Sequence, residues 1–210
     1  MALFRKMLEQ PQPPLVLTSV ACAFVDLGSC PEAVELIAPF AHHPDAEVRR
    51  SVVSALLGNS AAGAVATLIT LSSDDSADVR NWATFGLGSQ LGEPGDEDFV
   101  DSNELREALF ARIEDPDEET RAEAVVGLAA RGDERVLPVV LVELQKGPSW
   151  PHYVEAARFL GSPLLCDALK SLKRMAKAGP EKQPWDVLTE VDEAIAACCP
   201  WARPSKPLLM

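Results

Sequence analysis

The residue types that most often perform chemistry in proteins are scattered along this sequence and form no catalytic pattern. Five cysteines include one adjacent pair, Cys198-Cys199, and no Cys-x-x-Cys. The three histidines do not stand at metal-ligand spacing from the cysteines. The sequence contains no Gly-rich phosphate loop, nucleophile elbow or His-Glu-x-x-His motif. We therefore predict no catalytic residue, no metal site and no cofactor.

The cysteines and the apolar segments also bear on the compartment. An odd cysteine count with an adjacent pair predicts no disulfide framework and indicates a reducing cytoplasm. An apolar run at residues 15–25 follows Arg5 and Lys6, as in an export signal, but it is short and three prolines precede it. No apolar run reaches the roughly 18–20 residues of a membrane span. We expect a cytoplasmic protein.

One pattern of charged residues recurs along the sequence at regular intervals. Arginine appears at the same place in three similar stretches, always two residues after a carboxylate, which is Glu47, Asp78 or Glu119. The motif residues are Asp45 and Arg49, Asp78 and Arg80, and Asp117 and Arg121. A catalytic site needs different residues that converge, whereas here one residue type recurs in equivalent places. We therefore predict that these arginines pair with acids of their own or the next repeat and link the repeats.

Apolar residues surround each arginine with helical spacing. Counted from the arginine as zero, positions −1, +3, +6 and +7 are apolar or small and fall on one helix face. Position +6 is always alanine or glycine, namely Ala55, Gly86 and Gly127. Because glycine costs a helix up to about 1 kcal/mol relative to alanine, Gly86 and Gly127 indicate a close approach of a neighbouring helix.

This pattern resembles the HEAT-type repeats of α-solenoids, and within them the short bacterial repeats related to the phycobilisome-lyase class. The resemblance covers residues 31–144 and implies an all-α fold, in which about five to six helical hairpins stack into a right-handed superhelix. It also implies that the second helix of each hairpin lines the concave face. We predict one domain over residues 1–199, with a cap at 1–30, repeats at 31–162, a cap pair at 163–199 and a frayed tail at 200–210.

Start and stop signals divide the repeats into pairs of helices, which we predict at 32–41 and 46–57, 61–71 and 77–91, 103–113 and 118–130, and 133–146 and 152–160. Asp45 can cap the second helix of the first repeat, and Ser102 or Asn103 can cap the first helix of the third. The interval from Arg80 to Arg121 is about ten residues longer than the others. Residues 92–102 account for the excess, and their glycines, proline and acids predict a loop.

The face opposite the buried one, at positions +1, +2, +5 and +8 or +9, is where a binding site is expected. In the third repeat these positions hold Ala122, Glu123, Val126 and Ala130. This face holds Trp82 and Phe85 near the middle of the repeats, where the sister repeats have non-aromatic residues. Aromatic residues ringed by polar groups are typical of binding hot spots. The candidate residues on the concave face are Arg50, Asn81, Trp82, Phe85, Glu123, Glu155 and Arg158. In the alternative interpretation Trp82 packs under the insertion at 92–102, with Phe99 as a lid.

Charge narrows the class of partner. The net charge is −13, and the segment Glu93–Glu123 holds thirteen acids against three arginines. Such a field suits a basic protein partner and argues against nucleic acid and anionic membranes. The alternative is a solvated acidic face that only maintains solubility. We expect a monomer.

Three functions compete on these observations. The first is a non-enzymatic protein-binding scaffold, whose narrowest form is an immunity or inhibitor protein that caps a basic toxin or effector. The second, implied by the resemblance, is a bilin-lyase-like enzyme or chromophore chaperone. The third, a DNA-repair glycosylase of the same superhelical class, needs a basic concave face that this sequence lacks.

Overall fold

The computed structural model describes residues 1–8, 10–25, 30–147, 151–178 and 186–199, where all regular secondary structure is helical. The helices that precede and form the first three repeats are α1 (Ala2–Leu8), α2 (Pro14–Val25), α3 (Pro31–Ile37), α4 (Ala46–Leu56), α5 (Ala62–Leu71), α6 (Ala77–Ser89), α7 (Asn103–Phe110) and α8 (Glu118–Ala130). Those that follow are α9 (Leu137–Lys146), α10 (Pro151–Leu160), α11 (Cys166–Ala178) and α12 (Val187–Cys198). Short 3-10 helices extend α3 and precede α9 and α11.

The described residues divide into two compact units, one up to Ala124 and one from Val125 onward. In the N-terminal unit α4 packs against α2 and α6, and α5 packs against α4, α6 and α7. In the C-terminal unit α12 packs against α10 and α11, and α9 packs against the same two helices. These helical hairpins confirm the predicted all-α repeat fold. The predicted tail at 200–210 lies outside the described residues.

The predicted core face is buried. Position +7 of each second helix is a fully buried leucine, at Leu56, Leu87 and Leu128. A Cβ atom added to Gly86 would lie 3.0 Å from Cδ2 of Leu57 and 3.3 Å from Cδ1 of Leu68. Glycine at this position therefore allows the close helix contact that the sequence indicated.

The repeated arginines bridge successive repeats. Nε and Nη2 of Arg49 donate to the two carboxylate oxygens of Asp74 at 2.6 and 2.7 Å. Arg80 contacts Asp115 in the same bidentate way at 2.7 and 3.0 Å. In both pairs the acid belongs to the turn of the following repeat. Arg49 and Arg80 therefore each pair with an acid of the next repeat.

The pairing acids differ from the motif acids singled out in the sequence. Asp78 lies two residues before Arg80 but pairs with Arg50. Asp45 caps α4 by accepting from the backbone N–H of Glu47 at 2.9 Å. Asp117 accepts from the backbone N–H and the hydroxyl of Thr120. Asp45 and Asp117 thus shape helix starts, whereas the acids that bind Arg49 and Arg80 stand six residues before the next arginine.

The arginine links have a defined beginning and end. Arg121 donates to the backbone carbonyls of Asp115 and Pro116 in its own turn. Val20 occupies the arginine position before the first repeat, and His43 stands where the later repeats have the pairing aspartate. Where the preceding repeat lacks the arginine, the following turn thus lacks the acid.

The insertion at 92–102 is a loop, as predicted. It closes on itself through a hydrogen bond from the N–H of Val100 to the carbonyl of Leu91 at 3.1 Å. Gly92 has φ of 76°, and a Cβ there would meet the backbone of Phe99 at 3.0 Å, so this position requires glycine. Ser102 ends the loop and caps α7 by accepting from the N–H of Leu105.

The cysteine prediction needs a correction. Cys166, at the start of α11, forms a disulfide with Cys199, which follows α12. The pair is separated by 33 residues in sequence, and the adjacent Cys198 stays a buried thiol. Packing of α11 against α12 brings the pair together, which spacing alone does not reveal. No helix in the described part of the chain has the length and apolar character needed to cross a membrane.

Candidate functional site

Trp82 and Phe85 form an edge-to-face aromatic pair on the face of α6 opposite its buried residues. Their ring centroids lie 5.6 Å apart with an interplanar angle of 89°. Both residues are partly exposed, whereas Ala83, Gly86 and Leu87 of the same helix are buried. The register of the repeat therefore places the pair away from the core.

The guanidinium of Arg50, on α4 of the preceding repeat, lies over the Trp82 ring. Its central carbon is 4.2 Å from the ring centroid, which is the geometry of a cation–π contact. The guanidinium also donates to the hydroxyl of Ser54 and forms an ion pair with Asp78 at 3.2 Å. Arg50 is thus held in place by groups from both α4 and α6.

A cavity of about 110 Å³ lies beside these rings, between α6 and α8. We call it the Trp82 cavity, and its lining residues are Asn81, Trp82, Phe85, Glu119 and Glu123. Pockets that enclose drug-sized ligands hold roughly 300–1,000 Å³. The cavity is therefore too small to enclose a linear tetrapyrrole.

Hydrogen bonds fix the polar wall of the Trp82 cavity. Nδ2 of Asn81 donates to Oε2 of Glu119 at 2.9 Å, and the hydroxyl of Ser89 donates to Oε2 of Glu123 at 2.7 Å. Oδ1 of Asn81 is buried and has no hydrogen-bond partner among the described residues. The wall is therefore rich in acceptor oxygens.

The insertion loop does not contribute to the lining of this cavity. Phe99, the expected lid, is absent from the described residues that form its wall. Val100 instead lines a groove with Val65 and Ile69 of α5. Trp82 lies on a second helix, whereas this part of the loop borders a groove along a first helix.

Glu155 and Arg158, the other predicted site residues, belong to the C-terminal unit. They line a cavity of about 260 Å³ with Glu190 and Glu193 of α12. Burial raises the pKa of Glu190, and the negative charges of Glu155, Asp186 and Glu193 raise it further against the opposing effect of Arg158. The predicted site residues therefore fall into two groups. Glu155 and Arg158 lie in the C-terminal unit, and the N-terminal unit holds Arg50, Asn81, Trp82, Phe85 and Glu123.

The third repeat differs from the sequence expectation in its exposed face. Ala122 and Val126 are buried, and Glu123 is only 6% exposed. Residues 122–129 of α8 are all buried, so the buried surface of this helix is wider than the single face that the repeat pattern predicts. Glu123 is therefore a wall of the cavity and not an open rim residue.

Sequence reasoning missed two roles of acidic residues. Glu119 lines the Trp82 cavity, and its position one helical turn before Glu123 could have identified it. Asp74 and Asp115 bind the arginines, and both stand six residues before the next arginine. In the part of the chain that the structure describes, no group of three or more histidine, cysteine or acidic residues is arranged to hold a metal ion.

Comparison with known proteins agrees with this architecture. A family model described as HEAT repeats matches residues 65–151. The chain is 32% identical over 142 residues to Protein YibA of Escherichia coli strain K12 and, equally, of strain O157:H7. The match covers 68% of this chain and 48% of YibA, so the chain spans about half the length of the curated relatives it matches.

A solved structure shows the same likeness over most of the chain. The X-ray structure of Escherichia coli YibA superimposes with a TM-score of 0.73 at 26% identity. The match covers 94% of this chain and 67% of that one. The helical hairpins, the recurrent arginine links and these comparisons identify the chain as a HEAT-like helical repeat protein.

Proposed function

We propose that this protein is a binding scaffold that presents the partly exposed face of α6, with adjoining residues of α4 and α8, to a basic protein partner. We call this face the Trp82 surface, formed by Arg50, Asn81, Trp82, Phe85, Glu119 and Glu123. The observation that carries the proposal is the partly exposed aromatic pair beside two carboxylates. Aromatic residues in such positions supply a large share of binding energy in protein interfaces.

The aromatic pair is not needed by the repeat itself. The equivalent positions hold Ser51 and Ser54 in the first repeat, and Glu123 and Val126 in the third. The core of the second repeat is complete without the pair, since Val79, Ala83 and Leu87 are fully buried. Two large aromatic side chains that the fold does not require support a role in binding.

The charge of the molecule supports a basic partner. Of the thirteen acids in Glu93–Glu123, Glu119 and Glu123 line the Trp82 cavity. Most of the remaining acids are exposed in the insertion loop and along α7. Such a distribution favours attraction of a basic protein toward this part of the molecule before contact.

Affinity capture from the organism that encodes this protein tests the proposal. Captured proteins would be identified by mass spectrometry, purified, and titrated against the wild type and a Trp82→Ala/Phe85→Ala variant. We expect the double variant to bind at least about 30-fold more weakly, because hot-spot aromatics each contribute about 2 kcal/mol or more.

The matched control removes two large apolar side chains elsewhere. Leu3 and Leu15 are each 78% exposed and lie outside the Trp82 surface, so Leu3→Ala/Leu15→Ala is expected to bind like the wild type. Retention of full affinity by the Trp82→Ala/Phe85→Ala variant would reject this surface as the binding site.

The immunity or inhibitor hypothesis is a narrower form of the same proposal. It adds that the basic partner is an effector whose activity the scaffold blocks. Co-expression of the identified partner with the wild type or the aromatic double variant tests this step. Loss of protection in the double variant supports inhibition through the Trp82 surface, and an inactive or unaffected partner leaves only the scaffold role.

A further inference from the structure

We infer that the Trp82 cavity is a receptor for one arginine side chain of the partner. The inference rests on the proposed function and specifies its chemistry. A cavity of about 110 Å³ matches the planar head of a single side chain far better than a peptide segment or a cofactor. It lies in the centre of the Trp82 surface, where a partner's anchoring residue is expected to insert.

The polar wall of the cavity selects for a donor with a positive charge. Its polar atoms include the carboxylates of Glu119 and Glu123 and the amide of Asn81, whose nitrogen already donates to Glu119. The buried Oδ1 of Asn81 has no partner among the described residues, so it is an acceptor that lacks a donor. A carbonyl or carboxylate ligand would meet mainly other acceptors, whereas an N–H donor would be satisfied.

The aromatic wall fits the same ligand. The Trp82 ring already binds the guanidinium of Arg50 at 4.2 Å, which shows that its surroundings accept a stacked cation. The charge of Arg50 is offset by its ion pair with Asp78. A second guanidinium beside Phe85 and Trp82 would therefore meet aromatic carbon on one side and acceptor oxygens on the other.

Several acceptors from two helices favour arginine over lysine. Asn81 lies on α6 and the two glutamates lie on α8, so the acceptors surround the cavity from different directions. Guanidinium carries five N–H donors in a planar fork and stacks on aromatic rings, whereas an ammonium group is compact and more strongly hydrated. The occupant is therefore an arginine presented by a basic protein surface.

Titration with small arginine analogues tests the inference without knowledge of the partner. The probe is N-acetylarginine methylamide, compared with the analogues of citrulline, which is neutral, and of lysine. Binding is followed by NMR on the indole N–H resonances of the full chain, with Trp82 assigned by Trp82→Phe. We expect a saturable shift of the Trp82 resonance with arginine, at least about fivefold weaker binding of lysine, and none of citrulline.

Substitutions that change one charge at adjacent positions separate the cavity from general electrostatics. Glu119→Gln removes a wall carboxylate, and we expect it to weaken the arginine analogue at least about fivefold. Glu118→Gln removes the same charge from an exposed neighbour outside the lining and is expected to change binding less than twofold. Equal effects of the two substitutions would overturn the inference.

Other outcomes are equally decisive. A Trp82 resonance that does not respond to the arginine analogue, or responds equally to citrulline or lysine, overturns the arginine pocket. The proposed scaffold function fails separately, when the Trp82→Ala/Phe85→Ala variant keeps full affinity for the captured partner. A negative analogue titration together with lost partner binding therefore rejects only the arginine pocket.

Discussion

At the scale of single residues, Asp115 joins more groups than any motif acid predicted from the sequence. Its carboxylate accepts two hydrogen bonds from Arg80, contacts Arg112 at 3.3 Å and accepts from the N–H of Asp117. Only 1% of its side chain is exposed. The same carboxylate thus closes a turn and links two repeats.

Replacement of Asp115 by alanine is expected to destabilise the protein by about 3 kcal/mol, because it leaves the partly buried Arg80 without its counter-ion. Urea unfolding followed by circular dichroism measures this difference. Glu118→Ala, an exposed acid three residues later, is the control and is expected to change stability by less than about 0.5 kcal/mol. Equal stability of the two variants would contradict a linking role for Asp115.

The same pairs predict how stability depends on pH. Burial of Asp74 and Asp115 alone would raise the pKa of each carboxyl, but the hydrogen bonds from Arg49 and Arg80, together with backbone N–H bonds and the arginine charges, lower it below the ordinary value of 3.8. Folded-state pKa values below the unfolded ones stabilise the protein above the unfolded pKa. That contribution is lost as pH falls through the folded values.

We therefore expect the free energy of unfolding to fall as pH decreases below about 4. Urea titrations at a series of pH values would show this, and Asp115→Asn should reduce the slope because it removes one of the carboxyls whose pKa is lowered in the folded state. An Asp115→Asn variant with an unchanged slope would assign the acid sensitivity to other groups.

At the scale of the elements, the sequence predicted most of the helices because local signals specify them. Predicted and observed bounds agree closely for α8, and Asp45 and Ser102 cap the helices as expected. The sequence did not identify the acids that bind the arginines, because this pairing depends on which turn of the next repeat lies beside each arginine. The burial of Ala122 and Val126 was missed because one repeat pattern does not show how many sides of a helix are covered.

The Cys166–Cys199 disulfide is a non-local contact of the same kind. It joins the beginning of α11 to the end of α12, and a loop of 33 residues corresponds to about 3–4 kcal/mol of stability in the chain-entropy model. We expect Cys166→Ser to lower unfolding stability by up to that amount under non-reducing conditions and not under reducing conditions.

Alkylation checks the pairing directly. Burial raises the pKa of the Cys198 thiol to about 11, so native alkylation should modify the exposed Cys22 first and Cys198 last. Unfolding without reductant should expose three reactive thiols, and reduction should raise the number to five. Five reactive thiols before reduction would show that the disulfide does not form.

At the scale of the whole molecule, many of the acidic residues lie apart from the proposed contact surface around Trp82. The net charge of −13 could be read from the sequence, but its position relative to Trp82 could not. Glu93, Asp96, Glu97 and Asp98 are exposed in the insertion loop and do not line the Trp82 cavity. Sequence reasoning therefore treated as one site two features that the fold separates. The exposed acids of the loop can attract a partner at a distance, and the Trp82 surface can contact it.

This separation predicts that the two features affect different rate constants for the basic partner. Neutralising the loop with Glu93→Gln, Asp96→Asn, Glu97→Gln and Asp98→Asn should lower the association rate several-fold at low salt, because rim charges mainly steer encounter. Trp82→Ala should instead raise the dissociation rate, because it removes a contact made only in the complex. Surface plasmon resonance at about 20 and 500 mM salt resolves both, since the Debye length falls from above to below about 10 Å. If the loop variant changes only the dissociation rate, the loop is itself part of the contact surface and the Trp82 surface must be extended to include it.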